Sequence, residues 1–185
     1  MRVAKEIVQK NRETVVKTAS RLFRKHGYEG IGIAPLMKEA GLTNGAFYKQ
    51  FDSKEALVLE ATEQALVEGR EAWKDTLESA DGDLIKTFKT WYLSQDHITR
   101  RDLGCSFSAL AHEAPRHGAD MQTLFAKAIE QYLSLLDSYE LMDRDEALRM
   151  FCSLVGGLTL ARAVGNTQLQ ADIVNALIQD PVSNQ

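Results

Sequence analysis

Cysteine and proline are both scarce in the 185-residue sequence, which has two of the first and three of the second. Cys105 and Cys152 cannot make a disulfide framework, so cytosolic thiols are their default reading and a cytoplasmic protein is expected. With proline confined to positions 35, 115 and 181, long stretches carry nothing that would interrupt a helix. Alternating β-rich runs are missing, and so are internal repeats and low-complexity segments. Long apolar runs are missing too. The longest, "FCSLVGGLTLA" from Phe151 to Ala161, ends at Arg162 and is too short to span a bilayer, so no membrane partner is expected. The charged beginning, "MRVAKEIVQKNRE", is unlike a secretory signal. No acid/base dyad, phosphate-binding loop or metal-ligand set marks the chain as an enzyme, and neither a cofactor nor a metal is expected.

What is present is an uneven distribution of charge. The net charge is -4, yet residues 1–54 hold 11 Lys or Arg against 5 Asp or Glu, while the remainder holds 11 against 21. A head of +6 on a body of -10 suggests that one end meets a polyanion. Helical spacing recurs along the chain. Val15, Ala19, Leu22 and Phe23 form one apolar stripe, which should end at His26-Gly27 with Tyr28 folding back near Phe23. A second, short helix fits 33–40, with Pro35 in its first turn. Gly41 ends it, Thr43 caps the next, and 44–50 make a third. Ser53 should cap a long helix to about Ser79. Further helices read as roughly 83–96, 105–114, 118–140, 144–164 and 167–179. The fold class is all-α.

Two short helices joined by a tight glycine turn behind a longer one form a helix-turn-helix pattern. In that geometry the third helix enters the DNA major groove N-terminus first. Gly45 and Ala46 would let the backbone approach closely, and Asn44 can offer its amide to a base edge. Phe47 and Phe51 should face the small core, which turns Tyr48 and Lys49 outward. These two, with Thr43 and with Lys54 at the start of the next helix, suit phosphate oxygens.

The run "RLFRKHGYEGIGIAPLMKEAGLTNGAFYKQFDSKEALVLEA", Arg21 to Ala61, resembles the DNA-binding region of TetR/AcrR-type transcriptional regulators. It shows the helix ending in F-x-x-x-G-Y, then A-G-L-T, then F-Y-x-x-F-x-S-K-E-x-L. Gly32 departs from the usual Ser or Thr cap and Pro35 from a common acidic residue; both affect capping rather than DNA contact. The resemblance implies an N-terminal three-helix DNA-binding head, residues 1–52, on a C-terminal helical ligand-binding and dimerisation bundle, residues 53–185, with about nine helices in all. It also implies a homodimeric repressor on a palindromic double-stranded operator, released by a small-molecule effector. An all-α enzyme or a binding module without DNA function is the rival class.

The rest of the chain is compatible with that division. Leu148, Phe151, Val155, Leu158 and Thr159 keep helical spacing, as do Leu169, Ile173 and Leu177, and Gly156-Gly157 would admit a close neighbour. Two such helices from each subunit would make a four-helix interface. The same stripes also suit helices that close only their own subunit's core; the interface is preferred because a two-fold protein matches a palindrome. Trp73, Phe88, Trp91, Tyr92, Phe107, Phe125 and Tyr132, with Cys105 and His112, are candidate walls of an effector cavity. Cys105 and His112 stand seven residues apart, about 10 Å along a helix, too far for a nucleophile pair. Pro115 separates them from His117, which disfavours zinc. Cys105 is most simply a small buried apolar residue; electrophile or redox sensing through it is the alternative signal that the resemblance brings. The helix beginning at Ser53 joins head to body with no flexible linker.

Overall fold

The structure, a computed structural model, describes residues 2–179. Helix α1 (Arg2–His26) ends where Gly27 takes a φ of 76°, a conformation open to glycine, and its N–H closes on the Phe23 carbonyl at 2.8 Å. The chain turns there and buries Tyr28 edge-on against Phe23, with ring centroids 5.5 Å apart. α2 (Ile33–Glu39) buries Leu36 and Met37 and stops before Gly41, at φ 71°. α3 (Asn44–Phe47) is a single turn, shorter than the expected 44–50, because the chain after Phe47 loosens into a turn that swings Phe51 beneath it. α4 (Lys54–Ser79) is capped by Ser53, whose hydroxyl accepts the Ala56 N–H at 3.0 Å.

The remaining described helices are α5 (Leu84–Tyr92), α6 (Gln95–Thr99), α7 (Ser106–Leu110), α8 (Gly118–Asp137), α9 (Arg144–Val164) and α10 (Gln168–Gln179), with a 3-10 turn at Ala111–Arg116. No strand occurs among the described residues. The helix expected over 83–96 is two helices, because Ser94 accepts the His97 N–H at 3.3 Å and caps a new one. Similarly, the expected 105–114 helix gives way to the 3-10 turn that carries Pro115.

α1 lies along α4, and Arg12 fastens the two. Its guanidinium sits 4.2 Å from the centre of the Phe51 ring and donates to the Gln50 carbonyl and the Glu60 carboxylate. Farther along, Arg24, 4% exposed, donates to Glu68 on α4 at 2.9 Å, to Ser20 and to the Gly104 carbonyl. Tyr28 donates to the Thr62 hydroxyl at 2.8 Å, since the Thr62 proton goes to the Val58 carbonyl. His117 at the start of α8 meets Glu55 at 2.7 Å. The head is therefore fastened to the body through α1 and Tyr28 as well as through the start of α4.

Three residues of the expected intersubunit seam pack within the subunit. Phe151 and Leu158, 5% and 0% exposed, face the subunit's own core, with Phe151 4.9 Å from the Phe107 ring. Leu177 is partly buried onto α9, where a Cβ at Gly157 would come 2.1 Å from its Cδ1. The absent side chain at Gly157 thus seats α10 within the subunit rather than a neighbouring copy. Val155 and Ile173 are half-buried, while Leu148, Thr159 and Leu169 are exposed. At 21 residues, α9 is long and apolar enough by length and composition to cross a bilayer. Its inner face of Met150, Phe151, Leu154 and Leu158 is buried in the core, as in a core helix that passes the same test.

Candidate nucleic-acid interface and effector cavity

The candidate recognition surface rests on aromatic packing. Phe47 and Phe51 stack at 5.4 Å and 23°, both nearly inaccessible, and Phe47 meets Tyr48 edge-on at 5.2 Å. Each buried phenylalanine contributes roughly 1.5–3 kcal/mol, enough to fix a turn too short to hold itself. With these rings turned inward, Thr43, Asn44, Gly45, Tyr48 and Lys49 are exposed, Tyr48 at 66%. Ala46 is half-buried against the core, and a side chain at Gly45 would meet nothing within 4 Å. Thr43 occupies the N-cap position without a side-chain capping bond. Lys54 lies at the start of α4, 3.4 Å from Glu29. The structure thus exposes small residues, an amide, a phenol and an ammonium group along α3 and the turn after it, with Lys54 half-buried at the start of α4. Arg12, which pins the turn from beneath, was not foreseen; its place seven residues before Ala19, on α1's apolar stripe, was the available signal.

A cavity of about 480 Å³ lies in the body, lined by Trp73 and Glu68 on α4, Trp91 on α5, His97, Tyr132 and the 100–105 loop that ends at Cys105. Of the expected walls, Trp73, Trp91, Cys105 and Tyr132 line it. Phe88 and Tyr92 pack instead against Trp73 in the core, at 4.6 and 5.7 Å, and Phe107 and Phe125 pack against each other at 5.7 Å. His112 lines a different cavity, behind the end of α1. Glu68 and His97 line it without having been expected to. His97 had a local signal in the S-x-x-H spacing from Ser94.

His97 organises this wall. Its Nε2 accepts the Cys105 N–H at 2.8 Å, so its proton resides on Nδ1, which donates to the Tyr92 carbonyl at 2.7 Å. Burial lowers its pKa from 6.5 to about 4, against the opposing pull of the Tyr92 carbonyl. Cys105 is 8% exposed and its sulfur accepts the Ser108 N–H at 3.5 Å. The fully buried Tyr92 phenol is pushed well above its usual range by burial first and by the neighbouring Cys105 sulfur second.

A pH dependence follows. The unfolded chain protonates His97 more readily than the folded one, so this contribution is complete above about 6.5 and is lost as pH falls toward 4. Between pH 7 and 5 the protein should lose about 2 kcal/mol of stability through this residue. Chemical denaturation at the two values, with His97→Gln as the comparison, measures it. Equal losses in the two proteins would take His97 out of the account.

Comparison with known proteins bears on both surfaces. The family model "Bacterial regulatory proteins, tetR family" matches residues 15–61. The HTH-type transcriptional regulator LmrA of Bacillus subtilis is 34% identical over 132 residues, covering 69% of each chain. The HTH-type transcriptional repressor NemR of Escherichia coli is 26% identical over 144 residues, covering 76% of this chain and 72% of NemR. With YerO of Bacillus subtilis, an uncharacterised HTH-type regulator 43% identical over 56 residues, the match spans only 19% of that longer protein. A TetR transcriptional regulator from Chloroflexus aurantiacus superposes with a TM-score of 0.76 at 25% identity, covering 94% of both chains. E. coli NemR in its reduced form superposes at 0.73 and 20% identity, covering 91% of this chain and 95% of that one.

Proposed function

The chain belongs to the TetR family of bacterial regulatory proteins and is a DNA-binding transcriptional regulator, and from that premise we propose that it is a homodimeric, cytoplasmic repressor released from a palindromic operator by a small-molecule effector. Residues 1–52 form the reading head and 53–185 the sensing and pairing body. The observation that carries this reading is the exposed segment Thr43 to Gly45 at the start of α3, held on the buried Phe47–Phe51 stack. Gly45 and Ala46 admit the groove wall, Asn44 reads a base edge, and Thr43, Tyr48, Lys49 and Lys54 hold phosphates. The effector enters the 480 Å³ cavity, a size ordinary for small ligands, between Trp73, Trp91 and Tyr132. There it meets the Arg24–Glu68 pair that ties α1 to α4, so its differential affinity for two arrangements of these helices sets the spacing of the paired heads.

Gel shifts against DNA upstream of the chain's own gene test the reading. Lys49→Ala should weaken binding to all sequences and flatten the salt slope by about one unit, while Asn44→Ala should alter base preference. Unchanged operator affinity in both variants would remove α3 from the interface. A second signal is favoured by one observation: Cys105 is among the residues that line the cavity. Release by an electrophile that survives Cys105→Ser would discard that alternative.

A further inference from the structure

Basic residues that the reading head does not use converge on a second cavity, of about 510 Å³, between the end of α1, the α7 and 3-10 segment, and α9. Lys25, His26, Arg101, His112 and Arg162 line it, against the single carboxylate of Glu113. Arg24 also lines it, but that cation is met by Glu68.

Arg162 is differently placed. Half-buried, it donates from Nε to the Ile98 carbonyl, from Nη1 to the Ser108 hydroxyl and from Nη2 to the His97 carbonyl, at 3.2, 2.7 and 2.8 Å. All three acceptors are neutral, and a guanidinium has five N–H groups. Among the described residues no carboxylate lies in ion-pair range of Arg162, Arg101 or Lys25. The loop presses on the guanidinium closely enough that a Cβ at Gly104 would come 2.6 Å from Nη2.

Closing the end of α6 explains the two carbonyl bonds. It does not explain a half-buried guanidinium that shares a cavity with Arg101 and Lys25 and has no carboxylate in ion-pair range among the described residues, because cations removed from water are ordinarily paired. Burial lowers the Arg162 pKa; the neighbouring Cys105 sulfur and Tyr92 phenol pull it back up, and the Arg101 charge lowers it again. The acidic body, net -10 outside residues 1–54, makes a local excess of positive charge here the more unusual.

We propose that this second cavity binds a small organic anion carrying two or more carboxylate or phosphate groups, held by Arg162 from within and by Arg101 and Lys25 at the rim. The site is separate from the aromatic effector cavity and does not depend on that cavity's ligand. Arg24 lines both cavities, so an anion here acts on the same α1–α4 tie from the opposite side. Planar guanidinium forks match the geometry of carboxylate and phosphate oxygens.

Calorimetric titration of the full chain with citrate, at constant ionic strength, tests the proposal without using DNA. Citrate should bind, and Lys25→Ser/Arg101→Ser, which alters only the rim, should weaken it by about tenfold or more. Arg162→Met should abolish it; should that variant fail to fold, the rim variant still decides. Lys49→Ala/Lys54→Ala in the reading head should leave citrate affinity unchanged. The proposal is overturned if citrate binds no better than chloride, or if the head variant weakens citrate as much as the rim variant. It is equally overturned if the rim variant disrupts subunit association while citrate affinity holds, for then acidic groups of a second copy fill the cavity.

Discussion

Leu158→Asp should prevent the subunit from folding, whereas Leu160→Asp, two positions along the same helix, should leave it folded and monomeric. Leu158 is 0% exposed and Leu160 56%. A carboxylate at Leu158 would be an unpaired charge in the core, costing several kcal/mol, and a domain of this size has only about 5–15 kcal/mol of stability in total. At Leu160 the charge faces outward. There Leu148, Cys152, Gly156 and Leu160 recur at four-residue steps along an exposed or half-exposed face, and a Cβ at Gly156 would meet nothing within 4 Å. We propose this outer stripe, joined by Thr159 and Leu169, as the face that pairs two subunits in place of Phe151 and Leu158. Circular dichroism and light scattering check the two variants. A cooperatively folded Leu158→Asp protein would contradict the burial argument, and a Leu160→Asp dimer as tight as wild type would take the outer stripe out of the interface.

Glu68→Leu should cost about 3 kcal/mol, a large effect for a partly exposed side chain, because it strands the buried Arg24 cation. In that pair the Arg24 side chain is 2% exposed and Glu68 34%. Adding Arg24→Met removes the stranded charge, so the double variant should recover most of the lost stability. Denaturant midpoints of the two single variants and the double variant give the coupling directly. Strict additivity would show that the pair is not a unit, and that α1 and α4 are held by their apolar faces alone.

This pair adds a second tie between α1 and α4 to the direct helical connection legible in the sequence. Lys54 and Trp73 are roughly 28 Å apart along α4 at about 1.5 Å per residue, which made α4 the evident lever between body and head. Side chains on α1 also tie it to α4, and no local pattern says that Arg24 will meet Glu68. Elements with strong punctuation were readable: glycine at 27 and 41, Ser53 as a cap, and the inward Phe47 and Phe51. The α5–α6 break had its own mark in Ser94, masked by the apolar run that continues through Leu93. The seam on α9 was misplaced for a more basic reason. Its helix carries apolar residues on opposite sides, and periodicity finds a stripe without saying whether the same chain or another covers it. The cavity had the same obstacle, because Trp91 and Phe88 differ in what stands opposite them rather than in any feature of their neighbours in sequence.

The brevity of α3 bears on how operator preference can be re-engineered. One helical turn cannot persist as a free peptide, so the reading surface is not a portable cassette: grafted elsewhere without α1, Phe51 and the Arg12 clasp, it would lose its shape. The division of labour within it is nonetheless sharp. Asn44, Gly45, Tyr48 and Lys49 face solvent while Phe47 and Phe51 fill the base. A library varied at the outward positions and held fixed at the two phenylalanines would therefore sample new DNA sequences without sampling unfolded proteins.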